Sequence, residues 1–148
     1  MGEARELLDR STAAWLARDF KALGDCYSED AVLVTPYRDG VIRGRERIVE
    51  FLRANDAFSN EEYESVQKYE SGNAAIDEGY ATGTHTGPWT LPSGDTIPAT
   101  GKTIRHWACD VVTVNGGFIT EHHLHVDRGE IYGQLGLLPL QEFTPSAR

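Results

Sequence analysis

Apolar residues first recur at helical spacing. Leu8, Trp15, Leu16 and Leu23, with Thr12 between them, predict a helix from Glu3 to about Arg18. Asp19 has the character of a cap and predicts a second, short helix over Phe20–Tyr27. Ala31–Thr35 is β-branched and stops at Pro36, which predicts a short strand. Tyr37 follows at that strand's end, placed either to pack or to point a phenol into a cavity. Asp39-Gly40 predicts a turn, and Gly44 precedes a third helix, Arg45–Ala54, with Ile48, Phe51 and Leu52 on one side.

Period-two alternation then takes over. Tyr63–Tyr69 predicts a strand, Ser71-Gly72-Asn73 a turn, and Ala74–His85 a long strand curved or bulged at Gly79 and Gly83. A loop rich in proline and glycine, Thr86–Gly101, is placed to close over something. Lys102–Val114 and Phe118–Val126 read as strands joined by a hairpin turn at Asn115-Gly116-Gly117. Ile131, Leu135 and Leu138 return to helical spacing until Pro139. Helices first and a curved antiparallel sheet second make an α+β fold, and residues 1–148 are expected to form one domain.

The last strand carries the chemistry. One face holds Glu121, His123, His125 and Asp127; the other holds Thr120, His122, Leu124 and Val126. Ionisable side chains at successive positions of one face are costly to bury unless they pair or face a wet cavity. A two-residue turn sets even residues of the preceding strand against odd residues of this one. A Gly116-Gly117 turn then places His106 opposite Asp127 and Asp110 opposite His123. A three-residue turn brings Arg105, Trp107 and Cys109 to that face instead. The commoner two-residue turn favours carboxylate–imidazole pairs, the usual means of tuning an acid/base. Asp127 also stands where strand gives way to helix, and the plainer expectation for it is a helix cap. His123-x-His125-x-Asp127 has the chemistry of a metal set, but same-face neighbours lie about 7 Å apart along a strand, so no metal is expected.

Composition narrows the partners. The net charge of −9 argues against nucleic acid and anionic membranes. Two cysteines, Cys26 and Cys109, make no disulfide framework. The charged start MGEARELLDR has no apolar signal core, and no run is long enough to span a bilayer. A reduced cytoplasmic protein is expected.

Several motifs occur in a telling order: Asp30-Ala31-Val32, Gly44-Arg45, GTHTGP over Gly83–Pro88, PATGK over Pro98–Lys102, Gly117 with Ile119, Glu121-His122, Asp127, and QLGLLP over Gln134–Pro139. In this order the chain resembles the SnoaL-like polyketide cyclases, within the nuclear-transport-factor-2-like and ketosteroid-isomerase-like superfamily. The resemblance implies a cone-shaped barrel with helices closing a bent sheet around an apolar cavity. It also implies an enzyme without cofactor, often a homodimer, acting on a small apolar carbonyl or polyketide-like compound by aldol cyclisation or isomerisation. In such cyclases the aspartate ending the last strand is the acid/base, which here is Asp127. The family often carries Trp where this chain has His123, a more polar choice. The expected catalytic set is therefore Asp127, His106, His123 and His125, with Trp15, Tyr37, His85 and Asp110 around the substrate. A non-catalytic ligand-binding or dimerisation module on the same fold is the alternative.

Overall fold

The computed structural model describes residues 2–137. Leu138 and Pro139, expected to end the last helix, lie outside them. Helix α1 (Glu3–Leu16) buries Ala4, Leu7, Leu8, Ser11 and Ala14 on one stripe, as the helical spacing requires. Its start has no side-chain cap of its own. Glu70, from a distant strand, accepts the backbone N–H groups of Gly2 and Arg5 at 2.8 and 2.9 Å. Asp19 caps α2 (Phe20–Asp25), accepting Ala22 N–H at 3.0 Å. Strand β1 (Tyr27–Val34) starts four residues earlier than Ala31, so Tyr27 belongs to the sheet and not to the second helix. Strand β2 (Val41–Arg43) is too short for period-two reading, and α3 (Arg45–Ala54) has the expected bounds.

The long strands follow: β3 (Phe58–Ser71), β4 (Ala74–His85), β7 (Thr103–Asn115) and β8 (Phe118–Val126). A two-residue ribbon, β5 (Trp89–Thr90) with β6 (Thr96–Ile97), orders the intervening loop, and α4 (Arg128–Gln134) ends the described chain. The main sheet has the order β2-β1-β8-β7-β4-β3, antiparallel except for the parallel β1–β8 pair. Helix α1 packs on β3, β4, β7 and β8, while α3 packs on β1 and β2. The helices thus close one face of a curved sheet. The curvature is written at Gly79, where a Cβ would sit 2.0 Å from the Glu64 carbonyl oxygen.

Register departs from the hairpin expectation, and the reason is local. Asn115 pairs with Phe118 across a two-residue turn in which Gly116 and Gly117 both have positive φ, 60° and 85°. The ladder then slips: Val114 pairs with Ile119 but Thr113 pairs with Glu121, leaving Thr120 as the extra residue of a β-bulge. Beyond the bulge even residues of β7 share a face with even residues of β8. Asp110 pairs with Leu124, and Val111 with His123. The expected Asp110–His123 and His106–Asp127 pairings do not form, because one extra residue moves every later side chain to the other face.

Candidate functional site

Between α1, α3 and the sheet lies a cavity of about 200 Å³, walled mostly by apolar side chains. Trp15 and Leu16 line it from α1, as do Tyr37, Phe58, Trp89, Ile104, Val126 and Ile131 from other elements. His122, on the face that sequence reasoning took for the plain one, is its most constrained polar group. Beyond the bulge His122 pairs with buried Val112 and faces inward, where it is 9 % exposed.

Three side chains join there. His122 Nε2 lies 2.7 Å from Asp110 Oδ1, and His122 Nδ1 lies 2.7 Å from the Tyr27 hydroxyl. An ionised carboxylate can only accept, so Nε2–H donates to Asp110 and the lone pair of Nδ1 accepts from Tyr27. The tautomer of a neutral His122 is thereby fixed. Tyr27 reaches this position because β1 runs parallel to β8, with Tyr27 paired to Ile119. Arg45, at the start of α3, holds that strand's beginning by donating from Nε to the Tyr27 carbonyl at 2.8 Å. Burial pushes the Tyr27 phenol far above its ordinary value, so it stays a neutral O–H donor. Tyr27, His122 and Asp110 all line the cavity; both nitrogens of His122 are occupied, whereas Asp110 Oδ2 has no partner among the described residues.

A second polar group lies on the β3 wall. Glu61 accepts Trp15 Nε1–H at 2.8 Å and pairs with Arg18 Nη2 at 3.2 Å. Burial raises its pKa, against the lowering effect of Arg18 and Trp15. Arg18 also bonds the Phe58 carbonyl at 2.7 Å and Asp56 at 2.8 Å. Arg18 and Asn60 are the non-glycine residues with positive φ among those described, 55° and 53°, and both belong to this junction.

The expected site residues divide. Asp110, His106, Trp15 and Tyr37 line the cavity. His123 and His125 do not: they stand on the outer face, where His123 Nε2 meets Glu121 at 2.8 Å and His125 is exposed opposite Cys109. Asp127 is exposed and caps α4, its carboxylate accepting Glu130 N–H at 3.0 Å. The plainer expectation for it therefore describes its geometry, and it makes no hydrogen bond to His106 among the described residues. His85 is fully buried behind the wall, packed on Phe58 and Trp89 with ring centroids 5.2 and 6.3 Å away. It supports cavity residues and does not reach the cavity itself. Among the described residues no group of three or more His, Cys, Asp or Glu side chains is arranged to hold a metal.

Sequence reasoning missed His122, Tyr27 and Glu61. The alternation of β8 did separate His122 from its neighbours, but only the bulge says which face is inside. Tyr27 and Glu61 fell outside the strands that periodicity marked.

Comparison with known proteins places the chain in a family. A search of curated proteins finds no match. Solved structures are plentiful, 418 chains, so the fold alone does not choose a reaction. A candidate SnoaL-like polyketide cyclase from Jannaschia sp. CCS1 is 16 % identical, with a TM-score of 0.80 over 93 % of this chain and 94 % of that one. A protein of ketosteroid isomerase-like fold from Catenulispora acidiphila is 19 % identical, with a TM-score of 0.72 over 90 % and 94 %. An epoxide hydrolase from M. tuberculosis, of the LEH-like kind, is 20 % identical, with a TM-score of 0.67 over 90 % and 89 %. At such identities these likenesses show the fold. The model of the SnoaL-like domain matches residues 8–122, most of the chain and nearly all of the cavity wall, and the chain belongs to that family.

Proposed function

We propose that this protein is an acid/base enzyme for a small apolar carbonyl compound, with Asp110 as the group that takes and returns the proton. The observation that carries the reading is the chain Tyr27–His122–Asp110 on an apolar cavity wall, each link 2.7 Å long. His122 orients the carboxylate, and Tyr27 keeps His122 in the tautomer that donates to it. A carboxylate so placed can remove a proton α to a carbonyl and return it to the next oxygen or carbon. Ring closure by an aldol step and double-bond isomerisation both consist of such transfers. The enolate formed between them needs a neutral donor. The Tyr37 hydroxyl makes no hydrogen bond among the described residues, and burial raises its pKa, so it remains protonated. It is the donor in this reading. These steps call for no cofactor.

Asp110 takes the place of Asp127, which the resemblance implied as acid/base, and of His123 and His125, which the face pattern of the last strand suggested, since those three lie off the cavity. The reading includes a homodimer in a reduced cytoplasm. Exposed Val41, Val66 and Tyr69, and two unpaired cysteines, Cys26 and Cys109, support it. Among the described residues no helix is long and apolar enough to cross a membrane.

A second reading has its own observation. Both ring nitrogens of His122 are satisfied inside the protein, as they would be in a binding module that does no chemistry. One experiment separates the two. Cyclic ketones and enones are incubated in D2O with the protein, and α-proton exchange is followed by NMR. Exchange above the buffer rate, lost in Asp110→Asn and kept in His123→Ala, supports the enzyme. Exchange no faster than buffer across the panel, with the ketones nonetheless bound, supports the module.

A further inference from the structure

The wall that carries Asp110 holds a second polar group with an open valence. His106 precedes Asp110 by four residues on the same face of β7, a distance of about 13 Å along a strand. Ala108 stands between them and Ala81 beside His106 on β4, so no bulky side chain from these positions separates the two groups. His106 Nδ1 lies 3.2 Å from the Trp107 carbonyl oxygen. A carbonyl only accepts, so Nδ1 carries the hydrogen and Nε2 presents a lone pair. That lone pair has no protein donor among the described residues. Burial holds the imidazole below its ordinary pKa, against the raising effect of the Trp107 bond, Glu130 and Asp127, which favours the neutral acceptor.

Its surroundings decide what can meet it. Ile104, Val126 and Ile131 offer it nothing polar, and Tyr37, packed in the same cluster, makes no hydrogen bond to Nε2. Glu61 does not change this, because its two oxygens already accept from Trp15 and Arg18. In the open cavity water can donate to Nε2. A ligand displacing that water loses affinity unless it brings a donor of its own. A carboxylate ligand would bring only acceptors.

We propose that His106 is a specificity residue, accepting a hydrogen bond from a hydroxyl of the substrate. The substrate class is then hydroxylated carbonyl compounds, phenolic or enolic, whose O–H sits roughly two fused rings from the carbon that Asp110 deprotonates. This rests on the reading of Asp110 as the base, but its test does not depend on turnover.

The probes are 2-naphthol and 2-methoxynaphthalene, equal in shape and differing in the donor. Binding is followed by the fluorescence of Trp15 and Trp89, which both line the cavity. Wild-type protein is expected to hold the naphthol about tenfold more tightly, the worth of one hydrogen bond that the methoxy probe cannot supply when it displaces the water. His106→Phe should bring the two probes to equal affinity. His106→Asn, whose amide oxygen accepts, should restore part of the preference, and thermal melts of both variants show whether they fold. Asp110→Asn should keep the preference while losing ketone exchange. Equal binding of the probes by wild type, no binding of either, or the same preference in His106→Phe would overturn the proposal. A preference lost in Asp110→Asn but kept in His106→Phe would also overturn it, by assigning the hydroxyl to Asp110. Failure of ketone exchange with the probe preference intact would count against the enzyme reading and leave the hydroxyl subsite in place.

Discussion

Strand β8 carries three histidines within four residues, and its two faces treat them differently. His122 is 9 % exposed and makes two bonds of 2.7 Å, one to a carboxylate and one to a phenol. His123 stands next to it with its side chain 37 % exposed and paired to an exposed Glu121. A pair so open to solvent is screened and contributes little. His125 is exposed as well. The residue type is the same in all three cases. What separates the cavity-facing histidine from its surface neighbours is the face of the strand on which each falls, set beyond the bulge by the pairing of Thr113 with Glu121 and Val112 with His122.

The bulge itself offers the strongest way to break this contrast. Inserting one residue between Thr113 and Val114 would give Thr120 a partner and force β7 and β8 to exchange faces beyond it. Ala108 and Val112 would then leave the core, and we expect a loss above about 4 kcal/mol or failure to fold. Deleting Thr120 keeps Thr113 opposite Glu121 and Val114 opposite Ile119, so His122 should stay inside and the protein should remain folded. A urea melt of the two variants, one collapsed and one intact, checks the account of the register.

Substitutions at the site come next in size. Asp110→Asn should cut any α-proton exchange by about 10²–10⁴-fold, the range for a general acid/base, with the melt little changed. Tyr27→Phe leaves His122 Nδ1 buried without its donor and should lower stability by about 1–3 kcal/mol in denaturant titration. The outer-face counterparts should do little. His123→Ala and His125→Ala are expected to stay within about 0.5 kcal/mol of wild type with exchange unaltered. Asp127→Ala should cost about 1 kcal/mol through the lost cap and leave exchange alone, and Asp127→Asn should cost less.

The pH dependence of stability sharpens the contrast further. Burial depresses the pKa of His106 in the folded protein. Above its unfolded value, about 6.5, both states are neutral and His106 adds nothing. As pH falls below that value the unfolded chain takes up a proton that the folded chain resists, so stability declines with acidity. Stability measured from pH 7.5 to 5 should therefore fall less steeply in His106→Phe than in wild type.

Much of this architecture was legible in the chain. The helical spacing of Leu8, Trp15 and Leu16 and the caps at Asp19 and Asp127 are local signals, and local physics decides them. A hairpin turn within Asn115-Gly116-Gly117 was legible too, because only residues tolerant of positive φ suit it, but which two residues form it was not. The site was harder for a stated reason. A bulge has no composition of its own: Thr120 is a good strand residue whether or not it has a partner. Tyr27 depends on a parallel pairing with a strand more than ninety positions away, which no window of sequence contains. Glu61 sits before the alternation of β3 becomes regular, beside the slip in register between Ser59 and Glu62. His85 misled because a histidine in a motif invites a chemical role, while burial against Phe58 and Trp89 makes it part of the wall.

The parallel pairing of β1 with β8 has a consequence for how the chain comes to be folded. Strands β3, β4, β7 and β8 are joined in sequence and can zip one upon the next. Strand β1 is made early and has only β2 beside it until β8 exists. The Tyr27–His122 contact spans 95 positions, so its loop must close before the contact returns any energy. During synthesis the edge of β1 waits unpaired, its backbone groups open to any other strand that passes. The step that covers this edge is the same step that brings Tyr27 to His122. A newly made chain therefore ends its exposure to aggregation and completes the Tyr27–His122–Asp110 chain in a single event.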